Sequence, residues 1–354
     1  MIDLQRSIAN RVAGSVGGTL AAGAGQGIGV APTSNLEAYH AYLLGLHHFG
    51  RLRVFAAVDA LKRAIELDPE FGRAHGKLVR IYAAINNGGG GTQGELFPLM
   101  REHARAAVRY APDEPESHMA RGAVYWTIEW DWEAARQEGE AALALDPDLV
   151  DVITGLAEWH GAIAGNTDRA LEILQEVNRI DPFSPVTLMM RGSILTNGRR
   201  YGEAVEVFRR LVDLAGENWG WKWWLASSLV RAGEREEARL VLAELLPVLR
   251  SPLPVDMALP LAGVGDTAMA REVLEEAVAL KEAGGSVAAS SLALGYAALG
   301  EIEEALAWLE VSFEEEGGTY TLRHPDWDQL RHHPRFQAIW DRLGLPESPL
   351  GGSD

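Results

Sequence analysis

The stretch YGEAVEVFRRLVDLAGENWGWKWWLASSLVRAGEREEARLVLAEL, residues 201–245, decides the fold of this 354-residue chain. Ala204 and Ala238 lie 34 residues apart, and each is followed seven residues later by a leucine, Leu211 or Leu245. Residues seven positions apart lie on the same face of a helix, two turns from each other. A 34-residue unit with this pattern therefore predicts consecutive helix pairs.

The same phase continues in both directions along the chain. The small residue near the start of each second helix recurs eight times: Ala57, Met100, Ala135, Ala170, Ala204, Ala238, Ala270 and Ala305. Each first helix also carries a small residue: Gly45, Val79, Gly122, Ala157, Gly192, Ala226, Ala258 and Ala293. Small residues let two helices cross closely, and stacked pairs bury a continuous core that one pair could not form alone.

The pattern predicts three regions. Residues 35–316 form the array of eight pairs, residues 1–34 an N-terminal helix with a Gly/Ala-rich linker, and residues 317–354 a C-terminal helical cap. The array contains one insertion, Asn86–Gly94, whose four consecutive glycines predict a mobile loop. Pro260 is expected to kink the first helix of the seventh pair.

The cap is expected to consist of two short helices. Asp326 would cap the first, Trp327–Arg331, and Pro334 would begin the second, which Gly344 would end. The apolar faces of these helices are suited to covering the open end of the stack, which a solenoid requires for solubility.

Composition excludes several classes of protein. Hydrophobic residues make up 47% of the chain, which excludes disorder along its whole length, and the net charge of −18 argues against nucleic acid as the partner. The absence of cysteine excludes disulfides and thiolate metal sites. No stretch is apolar enough for membrane insertion. Adjacent histidine pairs do not chelate one ion easily, so no metal and no cofactor is expected.

The repeating pattern resembles the tetratricopeptide repeat. This resemblance implies an all-α, right-handed superhelical solenoid of about eight helix-turn-helix repeats. Three stretches further resemble the repeat-containing tail of bacterial regulators with a TolB-like domain: Pro32–His48, Glu129–Arg136 and His324–Pro346. Ile2–Val16 is similar to the last helix of that domain. The cyclase, winged-helix or kinase part of such regulators is missing from this chain.

The resemblance also implies a binding groove lined by the first helices. Its expected contact residues are Tyr39, Tyr42, Arg73, Lys77, Arg80, Met119, Trp126, Met189 and Trp223. Arg73, Lys77 and Arg80 share one helix face, which is compatible with a clamp for an anionic peptide or with salt bridges to Glu116 or Asp151. The tryptophans are compatible with packing between repeats or with a ligand wall.

These features predict a non-catalytic scaffold that binds a protein or peptide, with an anionic segment of the partner in the groove. No spacing typical of a hydrolase, metalloprotease or phosphate loop occurs. The alternative is a regulatory module that senses a small molecule, which a pocket closed around Trp223 would favour over an open groove. The uncapped first repeat could also form a homodimer. A cytoplasmic location is expected, or a periplasmic one if the chain derives from a membrane-anchored regulator.

Overall fold

The computed structural model describes residues 33–49, 51, 53–87, 93–180, 184–215, 219–249, 252–285, 287–316 and 320–345. The predicted N-terminal helix and almost all of the predicted linker lie outside these residues. So do the four glycines of the insertion, and the two glycines that follow the array.

The described part of the array consists of helices in eight consecutive pairs. The first four pairs are α1 (Leu36–Phe49) with α2 (Val54–Leu67), α3 (Gly72–Asn87) with α4 (Gln93–Tyr110), α5 (Pro115–Val124) with α6 (Trp132–Leu145), and α7 (Val150–Glu158) with α8 (Thr167–Ile180). The last four are α9 (Pro185–Asn197) with α10 (Tyr201–Ala215), α11 (Trp219–Arg231) with α12 (Arg235–Leu245), α13 (Ala258–Gly263) with α14 (Thr267–Glu282), and α15 (Ala289–Leu299) with α16 (Ile302–Glu316). The predicted all-α repeat solenoid is confirmed.

The small residues lie where the helices cross, as their phase predicts. All eight small residues of the second helices are buried, including Met100 at the position usually held by alanine. A close crossing is seen in the fifth pair, where a Cβ atom added to Gly192 would lie 2.3 Å from the Phe208 ring. Gly192 is therefore required by the packing distance between α9 and α10 rather than by its backbone conformation.

A larger side chain at one of these crossings should destabilise the array. Ala204 is fully buried, so we expect Ala204→Leu to overpack the crossing and to lower the free energy of unfolding by about 1–3 kcal/mol. Glu272 on α14 is exposed, so Glu272→Ala serves as the control. It should change the free energy of unfolding by less than about 0.5 kcal/mol. Equal denaturation midpoints for the two variants would show that the repeat phase is wrong.

Proline changes the seventh pair in a different way from the expected kink. A 3₁₀ turn, Val255–Met257, precedes α13, which has only six residues, and Pro260 lies in the first turn of this helix. A proline is tolerated there because the first amide groups of a helix have no partner within it. The first helix of this pair is therefore shortened, and its proline does not interrupt a longer helix.

Residues 320–345, which we call the closing segment, follow the array. The segment contains two 3₁₀ turns, Tyr320–Arg323 and Pro325–Leu330, and the helix α17, Pro334–Arg342. The second predicted helix is thus confirmed, and Gly344 beyond it has a φ of 59°. The prediction that Asp326 is the N-cap residue of the first helix is wrong. Asp326 lies inside the second 3₁₀ turn, and His324 occupies its N-cap position.

The closing segment joins distant parts of the array. Its buried Trp327 and Phe336 belong to one apolar cluster with Leu309 of the eighth pair. The same cluster includes Trp132 of the third pair and Ile163, which follows α7 in the fourth pair. The segment therefore does more than cover the last pair, because it also connects the end of the array to its middle.

The eighth pair also contacts earlier pairs directly. The ring centroids of Phe313 on α16 and Trp130, between α5 and α6, are 5.0 Å apart. At the start of α4, the Gln93 amide donates to the Glu314 carbonyl oxygen at 3.3 Å. The array is thus curled so that its eighth pair returns to the second and third pairs, and the first pair lies outside this closed turn.

Two π-turns direct side chains toward the closing segment. Tyr125–Glu129 follows α5 and Trp159–Ile163 follows α7. A π-turn adds a residue to the helical turn and changes the direction of the side chains that follow. Trp130, with a φ of 52°, and Trp159 consequently pack against the cluster that contains the closing segment.

Candidate binding surface

Two expected groove residues of the first pair, both tyrosines, lie next to each other on α1. The rings of Tyr39 and Tyr42 are stacked with centroids 6.3 Å apart, and Tyr42 also contacts Phe71 at 5.0 Å. Tyr39 is half-buried, whereas Tyr42 is buried. Burial and the nearby Glu116 carboxylate raise the pKa of Tyr42 above its ordinary value. Part of the Tyr39 ring is therefore accessible to solvent, whereas Tyr42 is enclosed.

Arg73 on α3 is engaged with the third pair. Its Nη2 and Nε atoms donate to Glu114 Oε2 at 2.6 and 3.2 Å, and its Nε atom lies 3.8 Å from Glu116 Oε2. Burial lowers the pKa of Arg73, but the two carboxylates outweigh it, so the net shift is upward. The ion pair to Glu116 is one of the two arrangements that the sequence suggests for this arginine.

Lys77 and Arg80 follow Arg73 along the same face of α3. Both side chains are half-buried, and both interact with other groups of the chain. Met119 on α5 is buried in a cluster with Ala142 of α6 and Val152 of α7. Helices α1 and α3 thus carry four expected groove residues that are half-buried, Tyr39, Arg73, Lys77 and Arg80.

The other three expected groove residues lie elsewhere. Trp126 packs edge-on against Trp132, with centroids 5.4 Å apart, within the cluster of the closing segment. Met189 and Trp223 pack against the core of pairs five to eight. Trp223 also donates its indole N–H to the Asp256 carbonyl oxygen at 2.8 Å. The nine expected residues therefore do not form one continuous surface, and Trp223 connects the sixth and seventh pairs.

An ion pair fixes the closing segment to the sixth pair. Arg231, the last residue of α11, donates from Nε to Asp326 Oδ1 at 2.9 Å and from Nη2 to Oδ2 at 2.5 Å. Their side chains are only 8% and 14% exposed, so this pair is almost free of solvent. Burial alone would raise the pKa of Asp326, but Arg231 and His324 hold it well below its usual range.

Further polar contacts extend along the closing segment. Arg199, which follows α9, donates to Asp328 Oδ1 at 2.6 Å. The indole N–H of Trp132 donates to the Leu343 carbonyl oxygen at 2.7 Å. The Gln329 amide donates to the carbonyl oxygen of Ala297, near the end of α15. The segment therefore contacts several first helices at or near their C-terminal ends. At these ends the chain turns into the second helix of the pair.

A buried histidine pair connects α3 and α4. The Nδ1 atoms of His75 and His103 are 2.8 Å apart, and His75 Nε2 lies 3.0 Å from the Pro69 carbonyl oxygen. Since a carbonyl only accepts, His75 carries its proton on Nε2, and His103 donates from Nδ1 to His75. Nothing in the sequence marks the two histidines as a pair, because they occupy ordinary core positions 28 residues apart.

This pair predicts a loss of stability in acid. Burial, followed by His75 and Lys62, lowers the pKa of His103 to about 4. An unfolded histidine takes up its proton near pH 6.5, so the folded state should lose roughly 1–3 kcal/mol as pH falls from 6.5 toward 4. Urea unfolding at several pH values should show a flatter profile for His103→Gln. The exposed His332→Gln is the control and should follow the parent, and identical profiles for all three proteins would contradict the assignment.

Two classes of site are absent from the described part of the chain. Within the ranges given above, no three His, Asp or Glu side chains come together as metal ligands. Among the same residues, no helix combines the length and apolar character needed to cross a bilayer.

Comparison with known proteins identifies the class of repeat. Residues 189–251, from α9 to the segment after α12, match the sequence model of the tetratricopeptide repeat. These residues therefore carry tetratricopeptide repeats within a helical-repeat solenoid. No curated protein matches the chain in sequence.

Several solved structures are similar to parts of the chain. PilW, a type IV pilus biogenesis factor, is 15% identical, with 61% of this chain and 94% of PilW covered and a TM-score of 0.48. A tetratricopeptide repeat protein from Parabacteroides merdae is 13% identical over 78% of this chain and 99% of its own, with a TM-score of 0.46. PilF from Pseudomonas aeruginosa is 18% identical, with 59% of this chain and 90% of PilF covered and a TM-score of 0.41.

Proposed function

We propose that this chain is a non-catalytic scaffold that binds an extended segment of a partner protein on the inner side of its first three helix pairs. Tetratricopeptide solenoids offer concave surfaces of this kind, and such repeats generally mediate protein–protein interaction. The observation that carries the proposal is the position of the half-buried Tyr39, Arg73, Lys77 and Arg80, since the first pair lies outside the closed turn.

Charge favours an anionic segment at this surface. Residues 1–128 contain 13 Lys and Arg against 11 Asp and Glu, whereas residues 129–354 contain 19 against 39. The first pairs are thus the least acidic part of a strongly acidic chain. A carboxylate of the partner would replace Glu114 as the acceptor for Arg73, with Lys77 and Arg80 beside it and Tyr39 packing against an apolar side chain. Tyr42 would form the buried floor beside Tyr39, and Met119, which packs against α6 and α7, would have a structural role.

The remaining expected contacts have a structural role in this proposal. Trp126, Met189 and Trp223 pack within the array or near the closing segment, so the partner is expected to bind beside the third pair and not beyond it. The resemblance to the repeat-containing tails of TolB-like regulators supports a regulatory protein as the partner class.

The test compares two charge reversals on the same helix pair. The full chain, Arg73→Glu/Lys77→Glu on α3 and Arg101→Glu/Arg105→Glu on the second helix α4 are used to isolate partners from the source organism, and each partner is then titrated by calorimetry. We expect the groove variant to bind at least tenfold more weakly and with less dependence on salt, while the α4 variant binds like the parent. Equal binding by a folded groove variant would overturn the proposed site.

A further inference from the structure

One side of α1 carries an apolar surface without a neighbour in the described structure. Leu36, Leu43 and Leu44 are 66%, 43% and 50% exposed. The exposed His40 and His47 lie between these leucines on the same arc of the helix. Successive residues turn by about 100°, so positions 36, 40, 43 and 47 share a narrow stripe and Leu44 lies at its edge, within an arc of about 100°. We call these five residues the end face. Clusters of exposed leucines are uncommon on a monomer and indicate an interaction surface.

The equivalent positions of α3, in the second pair, are used for packing against the preceding pair. One repeat later, the positions of His40, Leu44 and His47 are held by Ala74, Leu78 and Ile81, and all three are fully buried. Helix α3 buries them by packing against α2 and the rest of the first pair. At these three positions the end face is therefore the stacking surface of a repeat that has no repeat before it among the described residues. Leu36 and Leu43 correspond to the exposed Glu70 and the half-buried Lys77, so they extend this surface at its edge.

We propose that the end face is the interface of a symmetric homodimer, in which the α1 helices of two copies pack antiparallel. An antiparallel pairing centred between Leu43 and Leu44 places Leu43 opposite Leu44 of the partner subunit. The same pairing places His40 opposite His47 of the partner subunit. A twofold interface requires a self-complementary surface, and this arrangement of leucines and histidines satisfies that requirement.

Charge supports a second copy as the occupant. Glu37 lies in the first turn of α1 and Arg51 lies just beyond its end, and both are exposed. Within the described residues, neither side chain has an ion-pair partner. The antiparallel pairing brings Glu37 close to Arg51 of the partner subunit at both ends of the interface. It also aligns the two helix dipoles in opposite directions, which is the favourable arrangement.

The absence of cysteine allows a direct test in the full-length chain. Leu43→Cys lies next to the proposed twofold axis, so mild oxidation should link two copies through a disulfide. Leu36→Cys lies about 10 Å from the axis along the helix, and its two thiols would be about 20 Å apart, so it should not link. Leu240→Cys on α12, 67% exposed, controls for random collision. Equal linking by all three variants would overturn the proposed register.

Sedimentation equilibrium gives a second, independent measurement. The parent should have about twice the mass of the 38.5 kDa chain at tens of micromolar, and Leu43→Lys should shift it to the monomer, whereas Leu240→Lys should not. A monomeric parent would overturn the proposal. A monomer whose Leu43→Cys thiol resists a maleimide reagent would show that residues 1–32 or another part of the same chain cover the face instead. Partner binding by the groove variants is read separately, so the two proposals fail independently.

Discussion

Asp326→Ala is expected to lower the free energy of unfolding by about 3–5 kcal/mol, because it leaves the buried guanidinium of Arg231 without its carboxylate. An unpaired buried charge costs far more than the pair contributes, since the lost attraction is not replaced by water. The matched control is Asp328→Ala in the same turn of the closing segment. Its carboxylate is 46% exposed and pairs with both Arg199 and Arg331, so water can replace these contacts and its loss should cost about 1 kcal/mol or less.

A double variant separates the ion pair from a general loss of folding. Arg231→Met/Asp326→Leu replaces both charges with apolar side chains and should recover most of the stability that Asp326→Ala loses. Urea unfolding followed by circular dichroism measures all four proteins. If Asp326→Ala and Asp328→Ala unfold at the same urea concentration, the Arg231–Asp326 pair does not fix the closing segment as described.

Trp327→Ala is expected to cost a similar amount, about 3–5 kcal/mol. The indole of Trp327 is fully buried in the cluster that joins the eighth pair, the closing segment and the third pair, so its removal leaves a large cavity. The control is Trp219→Ala, because Trp219 at the start of α11 is 40% exposed and has less packing to lose.

The region that Trp327→Ala destabilises is as informative as the change in the free energy of unfolding. Hydrogen exchange of Trp327→Ala should increase in the closing segment and around Trp132, while the first pair should exchange as in the parent. Unchanged exchange near Trp132 would contradict the connection between the closing segment and the third pair.

The repeat was predictable because its signal is local. The crossing of α9 and α10 requires small residues such as Gly192 and Ala204, and the same requirement recurs about every 34 residues. Phase therefore identifies the eight pairs without any knowledge of contacts between them. The helix bounds follow from the same local physics, as the start of α17 at Pro334 illustrates.

The closure of the array was not predictable in this way. Arg231 and Asp326 are 95 residues apart, and in sequence Asp326 has the features of a helix cap, since it precedes an apolar residue. Whether an aspartate caps a helix or pairs with a distant arginine depends on the curvature of the whole stack. No property of either residue alone fixes that curvature.

The same distinction applies to the candidate binding surface. The positions that line the first helices follow from the repeat phase, which predicts Tyr39, Arg73 and Arg80 on the inner side. The phase does not show that Glu114 pairs with Arg73, or that Trp126 packs in the cluster of the closing segment. Both facts depend on how neighbouring pairs are rotated relative to each other, which a single repeat does not encode.

The closed turn, in which the eighth pair returns to the second and third pairs, determines which inner surface is left for a partner. One distance between the third and eighth pairs tests this turn. Spin labels on Glu129→Cys/Glu314→Cys lie beside Trp130 and Phe313, whose rings are 5.0 Å apart. Double electron–electron resonance should give one narrow distribution, centred below about 30 Å even with the length of two labels. An uncurled stack would separate these positions by five further pairs at about 8–10 Å each, or roughly 40–50 Å. A broad distribution centred at about 40 Å or more would contradict the closed turn.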